Sequence, residues 1–139
     1  MQFVGICNPR ILERIVPLVS AYRQTPFTVA DFLAEHGPTT RYYTWGDIAA
    51  FCRTDETRNG TALYLSSFVV APANRGTGVA RPFLTGVLAD AVHRGHDRVL
   101  LKVHEDNEAA QRLYAGVGFR SNQKLNKRYE METGRMRLA

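Results

Sequence analysis

Cysteine is scarce in this chain. Cys7 and Cys52 are the only two among 139 residues, far apart and outside any CxxC spacing, so neither a disulfide framework nor a cysteine-ligated zinc is indicated. No apolar run reaches the roughly 18 residues that a membrane-crossing helix needs. The opening MQFVGICNPRILERIV also lacks the basic stretch followed by an unbroken apolar one that marks a secretory leader. A reducing, cytoplasmic setting without a membrane is the expectation. Neither a repeat nor a linker interrupts the sequence. With 45% hydrophobic and 22% charged residues the composition excludes wholesale disorder, and the length suits one domain, residues 1–139, that needs no staple to hold its core.

Negative charge is the smaller share. Lys and Arg number 18 against 13 Asp and Glu, a net +5. Residues 120–139 carry Arg120, Lys124, Lys127, Arg128, Arg135 and Arg137 against Glu130 and Glu132, six cations to two carboxylates, and so supply +4 of it. Such a terminus attracts nucleic acid or any polyanion, a phosphorylated cofactor included, although it is more often a solvated surface. Aromatics do not alternate with the cations as a base-stacking platform requires, so a nucleic-acid-associated module is the second reading. His93 and His96 are assigned to the last turn of a helix, where the dipole favours them, and no metal site is expected. His36 and His104 carry no signal.

What is present falls into a clear order of elements. Phe3, Val4 and Ile6 suggest a short strand, and Asn8-Pro9 a helix cap with proline at the first helical position. Ile11, Ile15, Leu18, Val19 and Tyr22 keep helical spacing, with Pro17 expected to kink or split the helix. Thr28 and Asp31 form a capping-box pattern for a second helix that stops at Gly37-Pro38. Strands follow at 41–44, at 48–53 after a Trp45-Gly46-Asp47 turn, and at 62–70, with Asn59-Gly60 as a hairpin signal. Val79 to Ala91 reads as a helix ending near Gly95, residues 98–104 as an apolar strand, Asn107 to Ala115 as a helix, and the remainder as a closing pair of strands. The order β-α-α-β-β-β-α-β-α-β-β predicts an α/β (α+β) fold: a mixed, mostly antiparallel sheet with helices on both faces. Residues 62–104 form its parallel crossover.

One stretch is too specialised for a plain turn. In VVAPANRGTGVARPFL, residues 69–84, an apolar strand runs into Pro, Asn, Arg and two glycines and then straight into a helix. A helix start offers unpaired N–H groups and partial positive charge to an anion, and glycines allow close approach. Gly76 and Gly78 would leave the amides of residues 76–81 unobstructed, Arg75 adds charge, and Pro82, without an N–H, limits the cradle. The letters do not fit the Rossmann fingerprint, because Arg81 stands at the last glycine position, and there is no P-loop.

Arg75-Gly76-Thr77-Gly78-Val79-Ala80 resembles the signature of the GNAT superfamily of acetyl-CoA-dependent N-acyltransferases: Arg or Gln, two residues, Gly, one residue, then Gly or Ala. Val70-Ala71-Pro72 resembles the Val-x-Pro that ends that family's fourth strand. Asn107, Ala110, Leu113-Tyr114 and Gly118-Phe119 resemble its second conserved block. The likeness is close over residues 68–119 and extends weakly, through element order, over most of the chain.

The resemblance implies acetyl-CoA as cosubstrate, an amine as acceptor, no metal, and a monomer or homodimer. It implies that the amides of Gly76, Thr77, Gly78, Val79, Ala80 and Arg81, with Arg75, hold the pyrophosphate, and that the backbone of Phe68, Val69 and Val70 pairs with the pantetheine arm. It also implies that the fourth and fifth strands splay to admit the acyl group. Ser66-Ser67 is compatible with a local bulge but is read as ordinary strand. Asn107 and Tyr114, seven residues apart, share a helix face about 10 Å apart. One of them can contact the cofactor while the other reaches its sulfur. In the implied reaction a neutral amine attacks the thioester carbonyl directly, an amide near Val70 supports the carbonyl oxygen, and Tyr114 protonates the departing thiolate. The fourth strand, ALYLSSFVV, lacks the glutamate that some members use as base, so Glu105, Asp106 or water takes that role. The acceptor would be shaped by residues 20–47, where Tyr22, Phe27, Tyr42, Tyr43 and Trp45 cluster, at least half of them expected in the core. A domain that binds acyl-CoA without turnover is a third reading.

Overall fold

The computed structural model describes residues 2–4, 9–58 and 62–136. Its elements are β1 (Gln2–Val4), α1 (Pro9–Arg23), α2 (Val29–Glu35), β2 (Arg41–Trp45), β3 (Ala50–Glu56), β4 (Leu63–Val70), α3 (Ala80–His93), β5 (Val99–His104), α4 (Glu108–Gly116), β6 (Phe119–Leu125) and β7 (Arg128–Thr133), with one 3-10 turn at Pro72–Asn74. This is the expected order. Seven strands form one sheet in the order β1-β2-β3-β4-β5-β7-β6. Among the described residues only β4 and β5 pair in parallel, joined by the α3 crossover.

Alternation along β2 divides the molecule. Tyr42 turns to one face with Phe51, where α1 and α2 bury Leu12, Ile15, Val19, Phe27 and Phe32. Tyr43 turns to the other with Ala50 and Cys52, against Phe83, Leu84, Val87 and Ala91 of α3 and Tyr114 of α4. Each large side chain so buried contributes roughly 1.5–3 kcal/mol, and together they fix which helix lies on which face.

Three local expectations change. Pro17 does not split α1, which runs through it from Pro9 to Arg23. The loss of one backbone bond there is offset by the burial of Leu12, Ile15 and Val19 on its inner face. The turn after Trp45 takes four residues, because Gly46 and Ile48 both adopt positive φ (56° and 55°) and Ala49 N donates to Trp45 O; β3 therefore starts at Ala50 and continues to Glu56. His96 lies beyond the end of α3, buried, with Nε2 3.2 Å from Glu56 Oε1. The Asn8 cap, Cys7 and the Asn59-Gly60 hairpin fall outside the described residues.

The capping box of α2 forms as read: Thr28 Oγ1 accepts from Asp31 N at 3.2 Å and Asp31 Oδ2 accepts from Thr28 N at 2.8 Å. Thr28→Ala removes one of these acceptors and should cost about 1 kcal/mol in a denaturant melt. An unchanged midpoint would show that the helix is held by packing alone.

Candidate active site

Strands β4 and β5 pair over three residues only, Leu63 with Val99, Tyr64 with Leu100 and Leu65 with Leu101. Both strands continue, to Val70 and His104, without pairing to each other. Their divergence opens a cavity of about 890 Å³ lined by residues of both strands, α1, α4 and β7. Beyond Leu65 the edge of β4 that faces β5 has no strand partner among the described residues, while its other edge stays paired to β3.

A bulge aims the side chains of β4. Thr54 lies opposite Leu65 but Arg53 opposite Ser67, so Ser66 is an extra residue in the ladder. This corrects the reading of Ser66-Ser67 as ordinary strand. Leu63 and Leu65 face α3, and after the inserted residue Phe68 and Val70 face it too, Phe68 stacking on Phe83 at 5.5 Å. Phe68 and Val70 line the cavity; Val69 is buried on the opposite face, across from Phe51, with its backbone groups turned to β3. Ser66 Oγ is buried without a hydrogen-bond partner among the described residues.

At the far end of β4 the glycine loop reaches α3. Gly76 and Gly78 sit at φ 76° and 82°, and a Cβ on either would meet no atom within 4 Å. Backbone conformation, not crowding within the protein, calls for glycine here. No described backbone acceptor takes the amides of Gly76, Gly78 or Val79, and those of Ala80 and Arg81 open the helix, where no preceding carbonyl reaches them. Thr77 is an exception to the expected cradle, since its amide donates to Asn74 O at 3.3 Å and its hydroxyl donates to the same oxygen. Arg75 lines the cavity, its Nε donating to Val70 O at 3.4 Å. The Arg81 side chain goes elsewhere: Nη2 lies 2.5 Å from where a Cβ on Gly116 would stand, at the end of α4.

Asn107 and Tyr114 both line the cavity. Asn107 is the cap of α4 rather than its first helical residue, Oδ1 accepting from Ala110 N at 3.2 Å, which leaves its amide NH₂ as a donor. Tyr114 is buried, edge-on to Phe119 at 5.7 Å and to Phe68 at 6.4 Å. Burial pushes its phenol further above the ordinary value of 10, so it keeps its proton.

The two acids offered as bases lie off the cavity. Glu105 is 2.8 Å from Lys124 Nζ, and that contact holds its carboxyl below the usual range. Asp106 is solvated, 3.6 Å from His104 Nδ1. Of the aromatics in residues 20–47, Phe27, Tyr42 and Tyr43 are buried and Trp45 packs on the core; only Tyr22 lines the cavity. Sequence reasoning missed Arg23, Tyr64, Lys102 and His104 as cavity residues and saw Arg128 only as part of a basic segment. The exposed alternation of Lys102 and His104 along β5 was the available signal, but Arg128 joins them only through the strand register. Within that segment Lys124 pairs with Glu105 and Arg135 with Asp97. Among the described residues no group of His, Cys, Asp and Glu could hold a metal, and no helix is long and apolar enough to cross a membrane.

The profile of the acetyltransferase (GNAT) family matches residues 12–119. Over 88 residues the chain is 36% identical to a mycothiol acetyltransferase of Thermobispora bispora, covering 63% of this chain and 29% of that protein. Over 58 residues it is 43% identical to an uncharacterised N-acetyltransferase of Mycobacterium tuberculosis, covering 42% of this chain and 37% of that protein. The chain thus spans about a third of the length of these relatives. Among solved structures, a spermidine N-acetyltransferase chimera with Vibrio cholerae sequence superposes with a TM-score of 0.77 over 96% of this chain and 95% of that one, at 15% identity. An acetyltransferase from Thermus thermophilus gives 0.74 over 95% and 96%, at 17% identity. At these identities the likeness is one of fold.

Proposed function

This chain belongs to the acetyltransferase (GNAT) family, and from that premise we propose that residues 1–139 act as one domain that moves an acetyl group from acetyl-CoA to an amine. The observation that carries this reading is the gap between β4 and β5, with an unpaired strand edge along it, the glycine loop at one end and a protonated tyrosine inside.

Each part has a use. Along the free edge the backbone of Phe68 and Val70, on either side of Val69, offers N–H and C=O groups to the amide-bearing arm of CoA, as to an added strand. The amides of Gly76, Gly78, Val79, Ala80 and Arg81 point their partial positive charge at the pyrophosphate, and Arg75 adds a full one. Thr77 shapes the loop by closing onto Asn74. Asn107 donates through its amide. As the amine nitrogen bonds to the thioester carbon and the C–S bond breaks, the electron pair leaves on sulfur, and Tyr114 supplies that sulfur with a proton. The protein otherwise works by positioning.

Water carries the proton lost by the ammonium. Glu105 is a poor base because Lys124 stabilises its anionic form. Glu105→Gln should therefore leave kcat/KM within about threefold; a fall of about 10²-fold in steady-state rates, the size of a general-base contribution, would make Glu105 the base.

The reading as a whole is tested by incubating the protein with acetyl-CoA and a broad panel of amines while detecting free thiol. Release that depends on one class of amine is the expected result. CoA binding without thiol release from any acceptor would point instead to a non-catalytic sensor.

A further inference from the structure

We propose that the acceptor amine carries an anionic group, carboxylate or phosphate, held by Lys102 and Arg128. The proposal rests on the acetyl-transfer reading of the same cavity and specifies its acceptor.

The cavity passes through the sheet. Val99, Leu101 and Val103 of β5 belong to the core beneath α3, so the alternating Lys102 and His104 point to the opposite face. Strand register adds to that face Tyr64, opposite Leu100, and Arg128, opposite His104. Tyr22 and Arg23 of α1 complete this mouth. The mouth on the α3 side is lined by Phe68, Val70, Leu113 and Tyr114 and continues toward the glycine loop. One opening is apolar and leads to the phosphate cradle; the other is cationic.

The charges at the second mouth are not all equal. Arg23 is committed, its two terminal nitrogens donating to Glu35 at 2.8 and 2.9 Å. Lys102 Nζ lies 5.9 Å from the centre of the Tyr64 ring, and neither Lys102 nor Arg128 has a carboxylate partner among the described residues. Glu130 stands opposite Lys102 in the ladder, but its Oε1 accepts from Asn122 at 3.0 Å and Gln123 at 3.2 Å on the outer strand. His104 Nδ1 accepts from Asp106 N at 3.1 Å, so the neutral ring carries its hydrogen on Nε2 and adds a third donor. Among the described residues no Asp or Glu lines the cavity. A site of this kind repels an acceptor that is only cationic and favours one whose ammonium is offset by a negative group.

The test is calorimetric titration of the full chain, saturated with CoA, with two matched pairs: glycylglycine against glycylglycinamide, and glucosamine 6-phosphate against glucosamine. The anionic member of at least one pair should bind at least about tenfold more tightly, about 1.4 kcal/mol, and the better pair identifies the source as carboxylate or phosphate. The preference should shrink in Lys102→Gln and in Arg128→Gln and vanish in the double variant, with CoA affinity and Tm unchanged. Equal or undetectable binding of both members in both pairs would overturn the proposal, as would a preference that survives the double variant or a loss of CoA affinity in it. Anion preference without thiol release from any acceptor would uphold the anion site while removing the catalytic reading, so the two fail separately.

Discussion

Tyr114→Phe should lower turnover by about 10²-fold or more while CoA affinity and Tm hardly move. The substitution keeps the ring, hence the edge-on contacts to Phe68 and Phe119, and removes only the hydroxyl. Thiolate must then leave unassisted or take a proton from water that the apolar surroundings admit poorly. Burial also holds the wild-type phenol protonated above its ordinary value of 10, so its own ionisation should put no alkaline limb on the rate profile. Steady-state rates with an identified acceptor, beside calorimetric CoA titration of both proteins, provide the check. Unchanged turnover in a single-turnover experiment would remove the role. Loss of folding together with activity would leave Tyr114 as a core residue.

Gly78→Asp should abolish the thermal stabilisation that CoA confers, a shift corresponding to about 2.7 kcal/mol at a CoA concentration one hundred times Kd. The fold itself should survive, since a Cβ there meets nothing within 4 Å and aspartate is among the residues that tolerate the left-handed φ of 82°. Gly78→Asn, nearly the same shape without the charge, separates the two possible causes. Asparagine should weaken binding through bulk alone, and aspartate should eliminate it by placing a carboxylate beside the pyrophosphate cradle. Full CoA-induced stabilisation in the aspartate variant would place the phosphates elsewhere.

The fold was legible where periodicity is strong. The element order, the α2 capping box and the parallel crossover all follow from spacing that burial later enforces. The misses have physical causes. Pro17 is a local signal overridden by the tertiary packing of Leu12, Ile15 and Val19, and Ile48 enters a conformation that a β-branched residue rarely takes, so nothing in its letter announces it. At the site, residues within one segment were found from the sequence, among them Phe68, Val70, Arg75, Asn107 and Tyr114. Those brought together by register were not. Lys102 and Arg128 come to line one cavity only because β7 inserts between β5 and β6, a choice that short-range patterns do not record. The amide of Thr77 was misjudged because a turn inside the glycine loop consumes it.

The bulge at Ser66 works as a frameshift in three dimensions. Upstream, odd-numbered residues of β4 face the core under α3; downstream, even-numbered ones do. Tolerance to polar substitution along this strand should therefore lose phase at one position, like a sentence read one letter out of step. Deleting Ser66 would remove the extra residue and leave Phe68 and Val70 facing α3, whereas a flat ladder that kept Ser66 would turn them away, exchanging their places with those of Ser67 and Val69. The same letters in an unbulged ladder would present a different wall to the cavity, so here spacing carries information that residue identity alone does not.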